Sequence, residues 1–98
     1  ELTAKCNMKC LHCYNRSGDQ DKITLMTPEH WKNLCKQIVS HGGIFYCIIS
    51  GGEPLLLGDE LFSIMDILHE DHTVFTLISN GLLWNKTVMK KMLKYNFT

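Results

Sequence analysis

The stretch IFYCIISGGEP, residues 44–54, decides the fold class of this chain. It opens as a continuous run of apolar, β-branched and aromatic side chains, which is typical of a strand covered on both faces in a parallel sheet. Gly51 and Gly52 then break the run, and Pro54 stiffens the exit from the turn. We therefore expect a strand over residues 44–50 that ends in a polar turn.

A helix is predicted before this strand. Thr27 is a good N-cap, and Pro28 suits the first helical position. The apolar residues that follow recur at helical spacing, which places them on one face: Trp31, Leu34, Cys35, Ile38 and Val39. Because glycine tolerates the left-handed conformation found at helix ends, Gly42 and Gly43 should end this helix. The polar residues 15–26 before it should form a loop.

A second helix and a second long apolar run follow the GGEP turn. We expect Asp59 to cap this helix at its N-terminus. One apolar stripe runs along it, formed by Leu61, Ile64, Met65 and Leu68. The sequence TVFTLIS, residues 73–79, then reads as a strand that ends at an Asn-Gly turn signal.

Both ends of the chain fit the same order of elements. A third helix is expected from about residue 85 to residue 95, with Val88 and Met92 facing inward. Residues 1–4 are expected to be the tail of a first strand, and Phe97 the start of another.

Strands that alternate with helices indicate βαβ units, a parallel sheet and an α/β fold. Three such units are too few to close a barrel, and an open parallel sheet of this size leaves edges and apolar surface uncovered. We therefore expect residues 1–98 to be part of one domain of a longer protein. The absence of an initiator methionine favours the same interpretation.

The composition is that of an ordinary globular protein, 45% hydrophobic and 20% charged. Ten basic and ten acidic side chains give a formal net charge of zero. A neutral surface of mixed sign offers no electrostatic reason to bind nucleic acid or an anionic membrane. The sequence also lacks an apolar run of ~18 residues, so no membrane-spanning helix is expected.

Three of the five cysteines crowd into CNMKCLHCY, residues 6–14. Cys6, Cys10 and Cys13 form a CxxxCxxC spacing, whereas a disulfide framework spreads an even number of cysteines along a chain. We therefore expect a metal site in a protein of the reducing cytoplasm. A [4Fe–4S] cluster usually takes four cysteines, so three would leave one iron with an open position for a small molecule.

Other interpretations of these cysteines remain open at this point. A structural zinc ion needs a fourth ligand, for which the candidates are His12, His30, His41, Cys35 and Cys47. Cys35 and Cys47 fall on a helix face and in a strand, where small core residues are the simpler interpretation. The three loop cysteines could also be unrelated buried thiols. A redox pair of Cys10 and Cys13 is a further alternative, but it leaves Cys6 unexplained.

Three polar turns should meet at one edge of the sheet. Ligands of α/β folds bind where parallel strands end at their carboxyl side. The cysteine loop, GGEP at 51–54 and SNG at 79–81 each follow a predicted strand. Two glycines let the backbone approach a ligand closely, and Glu53 beside them can accept hydrogen bonds from an ammonium group. The alternatives are a plain strand-ending turn at GGEP and an ordinary Asn-Gly turn after Ser79.

CNMKCLHCY together with ISGGEPLL, residues 49–56, resembles the radical S-adenosylmethionine (radical SAM) enzymes. The resemblance covers the whole chain and is closest in pattern to the branch that matures peptides and proteins. It implies that residues 1–98 are the N-terminal half of a partial (β/α)6 TIM-like barrel, with three βα units and parallel strands.

The resemblance also implies a set of site residues. Cys6, Cys10 and Cys13 would ligate a [4Fe–4S] cluster whose open iron binds the methionine part of S-adenosylmethionine (SAM). Further SAM contacts would come from Gly51, Gly52, Glu53 and Pro54 at the amino group, His12 at the adenine, and Ser79 and Asn80. For His12 an exposed loop histidine remains the alternative.

The chemistry that the resemblance implies is reductive cleavage of SAM. One electron from the cluster gives a 5′-deoxyadenosyl radical, which abstracts hydrogen from a C–H bond of the substrate. No general acid or base is therefore assigned. The expected partners are a peptide or protein substrate and an external electron donor such as flavodoxin or ferredoxin. The rival hypotheses are a zinc-stabilised binding module and a degenerate radical SAM-like scaffold that has lost its chemistry.

Overall fold

A three-stranded parallel sheet is the centre of the structure, a computed structural model that describes residues 1–17, 23–24 and 26–98. The strands are β1 (Tyr46–Ile49), β2 (Val74–Leu77) and β3 (Asn96–Phe97), and they lie side by side in that order. In this register, Phe75 lies beside both Cys47 and Phe97. The predicted α/β fold with parallel strands is confirmed, and the strand expected at Phe97 is present.

Helices connect the strands. They are α1 (Pro28–Ser40), α2 (Asp59–His69) and α3 (Lys86–Met92), and a short 3-10 turn (Pro54–Leu57) precedes α2. The predicted start of α1 is confirmed, because the Thr27 hydroxyl accepts from the His30 backbone N–H at 3.2 Å. Its end is confirmed too, since Gly43 has a φ of 78° and its N–H donates to the Ile38 carbonyl at 2.8 Å.

The start of α2 differs from the prediction. Gly58, not Asp59, occupies the N-cap position, and it makes no side-chain capping bond. The 3-10 turn ends at Gly58 with a φ of 58°, which glycine adopts without a Cβ clash. Asp59 is therefore the first helical residue, where a carboxylate favours the helix dipole, and it binds Lys91 at 2.6 Å.

The N-terminal segment is not the regular strand that the sequence predicts for residues 1–4. It runs beside the end of β1 and the GGEP turn instead. Leu2 N–H donates to the Ser50 carbonyl at 2.9 Å, and Gly52 N–H donates to the Thr3 carbonyl at 2.7 Å. Glu53 N–H also donates to the Lys5 carbonyl at 2.9 Å, so the segment is bonded along the turn without forming a regular strand. Of the loop predicted over residues 15–26, residues 18–22 and 25 lie outside the described residues.

The core lies between the sheet and the helices. Its buried apolar side chains are Leu2, Cys35, Ile49, Leu55, Leu61, Ile64, Met65, Leu68, Phe75, Met92 and Tyr95. Val88 and Cys47 pack against them, so the inward face predicted for α3 and the core interpretation of Cys35 and Cys47 agree with the structure. Burial raises the pKa of both thiols, which disfavours the thiolate that a metal would need.

One face of the sheet is open, although the apolar run 44–50 predicts a strand covered on both faces. Tyr46 and Ile48 on β1 are 47% and 53% exposed. On this face the Tyr46 hydroxyl lies 2.7 Å from the Thr76 hydroxyl, which lies 3.0 Å from the Thr98 hydroxyl.

Among the described residues, no helix is long and apolar enough to cross a membrane.

Candidate functional site

Three loops meet at the carboxyl end of the sheet, as the sequence predicts. They are the cysteine loop (residues 6–17), the GGEP turn (51–54) and the SNG turn (79–81). The cysteine loop is joined to the GGEP turn, because Asn15 Nδ2 and the Ser17 hydroxyl approach the Gly51 carbonyl at 3.3 and 3.4 Å. Together with the bonds that Glu53 accepts from Ser79 and Asn80, these contacts make the three loops one hydrogen-bonded unit.

Glu53 links the GGEP turn to the SNG turn. Its side chain is fully buried, at 0% exposure. Its Oε1 accepts from the Ser79 hydroxyl at 2.8 Å and from Leu55 N–H at 3.1 Å, and its Oε2 accepts from Asn80 N–H at 2.8 Å. The carboxylate that the sequence offers to an ammonium group is thus turned inward and used by the protein itself.

The two glycines allow the GGEP turn to pack on the segment that leads to Cys6. A Cβ at Gly52 would lie 1.9 Å from the Lys5 carbonyl oxygen, and one at Gly51 would lie 2.6 Å from the Thr3 carbonyl oxygen. Both distances are far inside van der Waals contact, and the clashing atoms are backbone. The close approach expected toward a ligand is therefore made, in this structure, toward the chain's own backbone.

The cysteine loop presents its thiols outside the core. Cys6 and Cys13 are half-buried and Cys10 is exposed, and all three are free thiols. A turn brings the last two together, since Cys13 N–H donates to the Cys10 carbonyl at 3.2 Å. The backbone N–H groups of Ser17 and then Asn15 lower the pKa of the Cys13 thiol, which favours the thiolate that serves as a metal ligand.

Three thiols are the kind of donor that an iron–sulfur cluster takes. A hollow of about 350 Å³ lies beside Cys10 and Cys13, and Lys9 and Arg16 also line it. Within the described part of the chain, no three His, Cys, Asp or Glu side chains converge on one ion position.

The remaining predicted site residues are Asn80, Ser79, Pro54 and His12. Asn80 reaches the cysteine loop, where its Nδ2 lies 2.7 Å from Asn7 Oδ1 and 3.8 Å from Cys6 Sγ. Ser79 is joined to Glu53 as described above, and Pro54 is buried in the turn. His12 is exposed on the cysteine loop.

Sequence reasoning missed three residues of this unit, namely Asn7, Asn15 and Ser17. Asn7 follows Cys6 directly, so its adjacency to a candidate ligand was the available signal. Ser17 is a polar side chain at 6% exposure. Its burial depends on the packing of the cysteine loop against Gly51, which no local pattern encodes.

Comparison with known proteins identifies the family. Residues 1–98 match the family model described as Radical SAM superfamily. The chain is 33% identical over 89 residues to a probable GTP 3′,8-cyclase of Methanococcus maripaludis, which covers 91% of this chain and 30% of that protein. It is 35% identical over 82 residues to a probable GTP 3′,8-cyclase of Methanocaldococcus jannaschii, covering 84% of this chain and 27% of the relative.

A third relative bears a different name. The mycofactocin maturase MftC of Mycolicibacterium smegmatis is 32% identical over 95 residues, which covers 94% of this chain and 23% of that protein. The chain thus spans less than a third of the length of these relatives. No solved structure matches it. The chain belongs to the radical SAM superfamily, a membership that implies a [4Fe–4S] cluster and SAM as its cofactors.

Proposed function

We propose that this chain is the cofactor-binding part of an enzyme that cleaves SAM reductively and abstracts hydrogen from a peptide or protein substrate. The observation that carries the proposal is the hydrogen-bonded unit of the three loops. It places the thiol-bearing loop, the GGEP turn and the SNG turn at the edge where α/β folds bind ligands.

Cys6, Cys10 and Cys13 would hold the cluster, and Lys9 and Arg16 would stabilise its negative charge. A bound cluster would supply the single electron that reductive cleavage of the S–C5′ bond of SAM requires, with methionine as the other product. The chain's own residues position these groups and exclude water, and none needs to move a proton.

The GGEP turn would hold the methionine part of SAM with its backbone. Because the Glu53 carboxylate is buried and already accepts three hydrogen bonds, we assign it to holding the turn in shape. Gly51, Gly52 and Pro54 then fix the backbone path that a SAM amino group would meet. Ser79 and Asn80 would complete the rim of the site, and His12 is exposed where it can stack on an adenine.

A peptide or protein is the substrate class that we propose. The support is the CNMKCLHCY and GGEPLL pattern, together with a maturase among the relatives. The GTP cyclases among the relatives favour a second candidate, a nucleoside triphosphate. Deuterated substrates distinguish the two candidates, because only the true substrate transfers deuterium from its C–D bond to 5′-deoxyadenosine.

An external electron donor of the flavodoxin or ferredoxin type would reduce the cluster. Such a reaction needs a reducing compartment, and we propose the cytoplasm. The five free thiols agree with this proposal.

The test is anaerobic iron–sulfur reconstitution of the full-length protein, followed by electron paramagnetic resonance (EPR) spectroscopy after dithionite reduction, with and without SAM. We expect a reduced [4Fe–4S] signal that changes shape with SAM, and 5′-deoxyadenosine in the products. Cys10→Ala should lose the cluster, whereas the matched variant Cys35→Ala should keep it, since Cys35 lies in the core at 5% exposure.

The rival hypotheses give different results in the same experiment. A colourless protein that holds zinc would establish the binding module. A cluster that never yields 5′-deoxyadenosine on reduction would establish a scaffold that has lost its chemistry. Retention of the full cluster by Cys10→Ala would overturn the ligand assignment.

A further inference from the structure

The side chain of Asn80 reaches across from the SNG turn to the first cysteine of the cysteine loop. Its Nδ2 lies 2.7 Å from Asn7 Oδ1 and 3.8 Å from Cys6 Sγ. A side-chain amide carries two N–H donors, so one can point at each acceptor. The longer distance suits an N–H···S contact, because sulfur is a larger atom than oxygen.

The orientation of this amide is fixed by its other atoms. Asn80 Oδ1 accepts from Leu82 N–H at 3.0 Å, and the Asn80 backbone N–H donates to Glu53 Oε2 at 2.8 Å. A flipped amide would lose the Leu82 bond and would bring Oδ1 against Asn7 Oδ1, two acceptors face to face. The N–H groups therefore point toward Asn7 and Cys6.

We propose that Asn80 is a positioning residue that tunes the cluster by donating an N–H···S hydrogen bond to the Cys6 thiolate. The inference rests on the proposed function, since it takes Cys6 as a cluster ligand. As a thiol, Cys6 directs its S–H at Asn7 Oδ1 at 3.9 Å. As a ligand Cys6 has no proton, so Asn80 is the donor that faces its sulfur within the described part of the chain.

This bond has a defined electronic consequence. Reduction adds one negative charge to the cluster and its thiolates, and an N–H donor stabilises the more negative form. Hydrogen bonds to cluster sulfurs are among the features that set the reduction potential. Asn80 should therefore raise the potential and make the cluster easier to reduce. Because Glu53 holds the Asn80 backbone, the GGEP turn controls where this donor stands.

The experiment is an EPR-monitored redox titration of the reconstituted full-length protein, with iron and sulfide content measured in parallel. Asn80→Ala removes the donor, and Asn80→Asp removes it while keeping the oxygen that accepts from Leu82. We expect the ratio of reduced to oxidised cluster at a fixed potential to fall about three- to tenfold, about 28–59 mV for one electron. The Asp variant should fall further, because its charge also opposes reduction.

A matched control separates tuning from loss of stability. Asn85→Ala removes the side chain that caps α3, where Asn85 Oδ1 accepts from Val88 N–H at 2.9 Å. It should destabilise the protein without moving the potential. An unchanged midpoint in cluster-loaded Asn80→Ala and Asn80→Asp would overturn the inference, whereas a wild-type protein that takes up no cluster would overturn the proposed function instead.

A measurement on the wild-type protein covers the case in which the variants fail to take up iron. Protein grown with asparagine labelled with ¹⁵N only in the side-chain amide should show a weak ¹⁵N coupling in pulsed EPR of the reduced cluster. The absence of any such coupling would refute the hydrogen bond from Asn80 to Cys6.

Discussion

Replacing Glu53 by glutamine tests whether this buried carboxylate holds the site together. Glutamine has nearly the same shape but offers one acceptor oxygen and one amide nitrogen. If its oxygen keeps the bonds from Ser79 and Leu55, its NH₂ group faces the Asn80 N–H, donor against donor. The substitution therefore removes at least one hydrogen bond whatever the amide orientation.

The magnitude follows from these three bonds. Loss of the Asn80 bond to a charged acceptor costs about 1.5–3 kcal/mol. The bonds from Ser79 and Leu55 weaken by about half when their acceptor becomes neutral. Burying a neutral amide in place of a carboxylate lowers the desolvation cost and offsets part of this loss. We expect the free energy of unfolding to fall by about 2–4 kcal/mol.

The assay is urea unfolding of the cluster-free full-length protein, so that loss of metal does not contribute. Hydrogen exchange of the SNG turn adds a local readout at Asn80. Glu60→Gln is the matched control, because Glu60 is 48% exposed and pairs with Lys32 at the surface. An exposed pair contributes about 0–1 kcal/mol. A loss below about 1 kcal/mol in Glu53→Gln, with unchanged exchange at Asn80, would refute the linking role of Glu53.

Two further predictions concern backbone packing and a buried phenol. Gly52→Ala should lower the free energy of unfolding by about 2–5 kcal/mol and lower the iron content, because the new Cβ would meet the Lys5 carbonyl. The control Gly58→Ala, where the new Cβ would meet open space and the strain comes from a φ of 58°, should cost about 1–2 kcal/mol and keep the iron. Equal losses of stability in the two variants would contradict the steric argument. Burial, and then the bond to Asp66, raise the pKa of Tyr95 above its ordinary 10.0, so its contribution to stability is full below that pH and is lost as the pH rises above it. The stability difference between wild type and Tyr95→Phe should therefore shrink by about 1.4 kcal/mol per pH unit above about 10, and a difference that stays constant to pH 11 in urea unfolding would show that the pKa is not raised.

Local sequence patterns predicted helix ends correctly where the donor and the acceptor of a capping bond lie in the same short segment. The Thr27-Pro28 pair and the Gly42-Gly43 pair predicted the ends of α1, because capping bonds join residues three to five apart in sequence. Asp59 is the exception among the caps. It is a good N-cap residue, but the preceding 3-10 turn already placed Gly58 at that position.

Burial on the far side of the sheet depends on elements that a local pattern does not specify. Within the described residues α1 and α2 cover the face of β1 that carries Cys47 and Ile49, and the exposed opposite face agrees with the expectation that a sheet of this size leaves apolar surface uncovered. An apolar side chain indicates that its face of the strand can be buried. Whether that face is buried depends on the position of other helices and strands. Residues 1–4 likewise depend on a distant partner, since they form an irregular segment bonded to the GGEP turn and not a strand.

The sequence by itself determined the alternation of strands and helices, the parallel sheet, and the three turns at its carboxyl edge. It also determined the family, through the cysteine spacing and the GGEP motif. Only the tertiary structure decided the partners within the site. Glu53 meets Ser79 and Asn80 across 26 and 27 residues, and Asn80 meets Cys6 across 74. The physical reason is that a hydrogen bond acts over about 3 Å of space. The parallel strands bring Glu53 and the SNG turn within that range, and the N-terminal segment bonded to the GGEP turn brings Cys6.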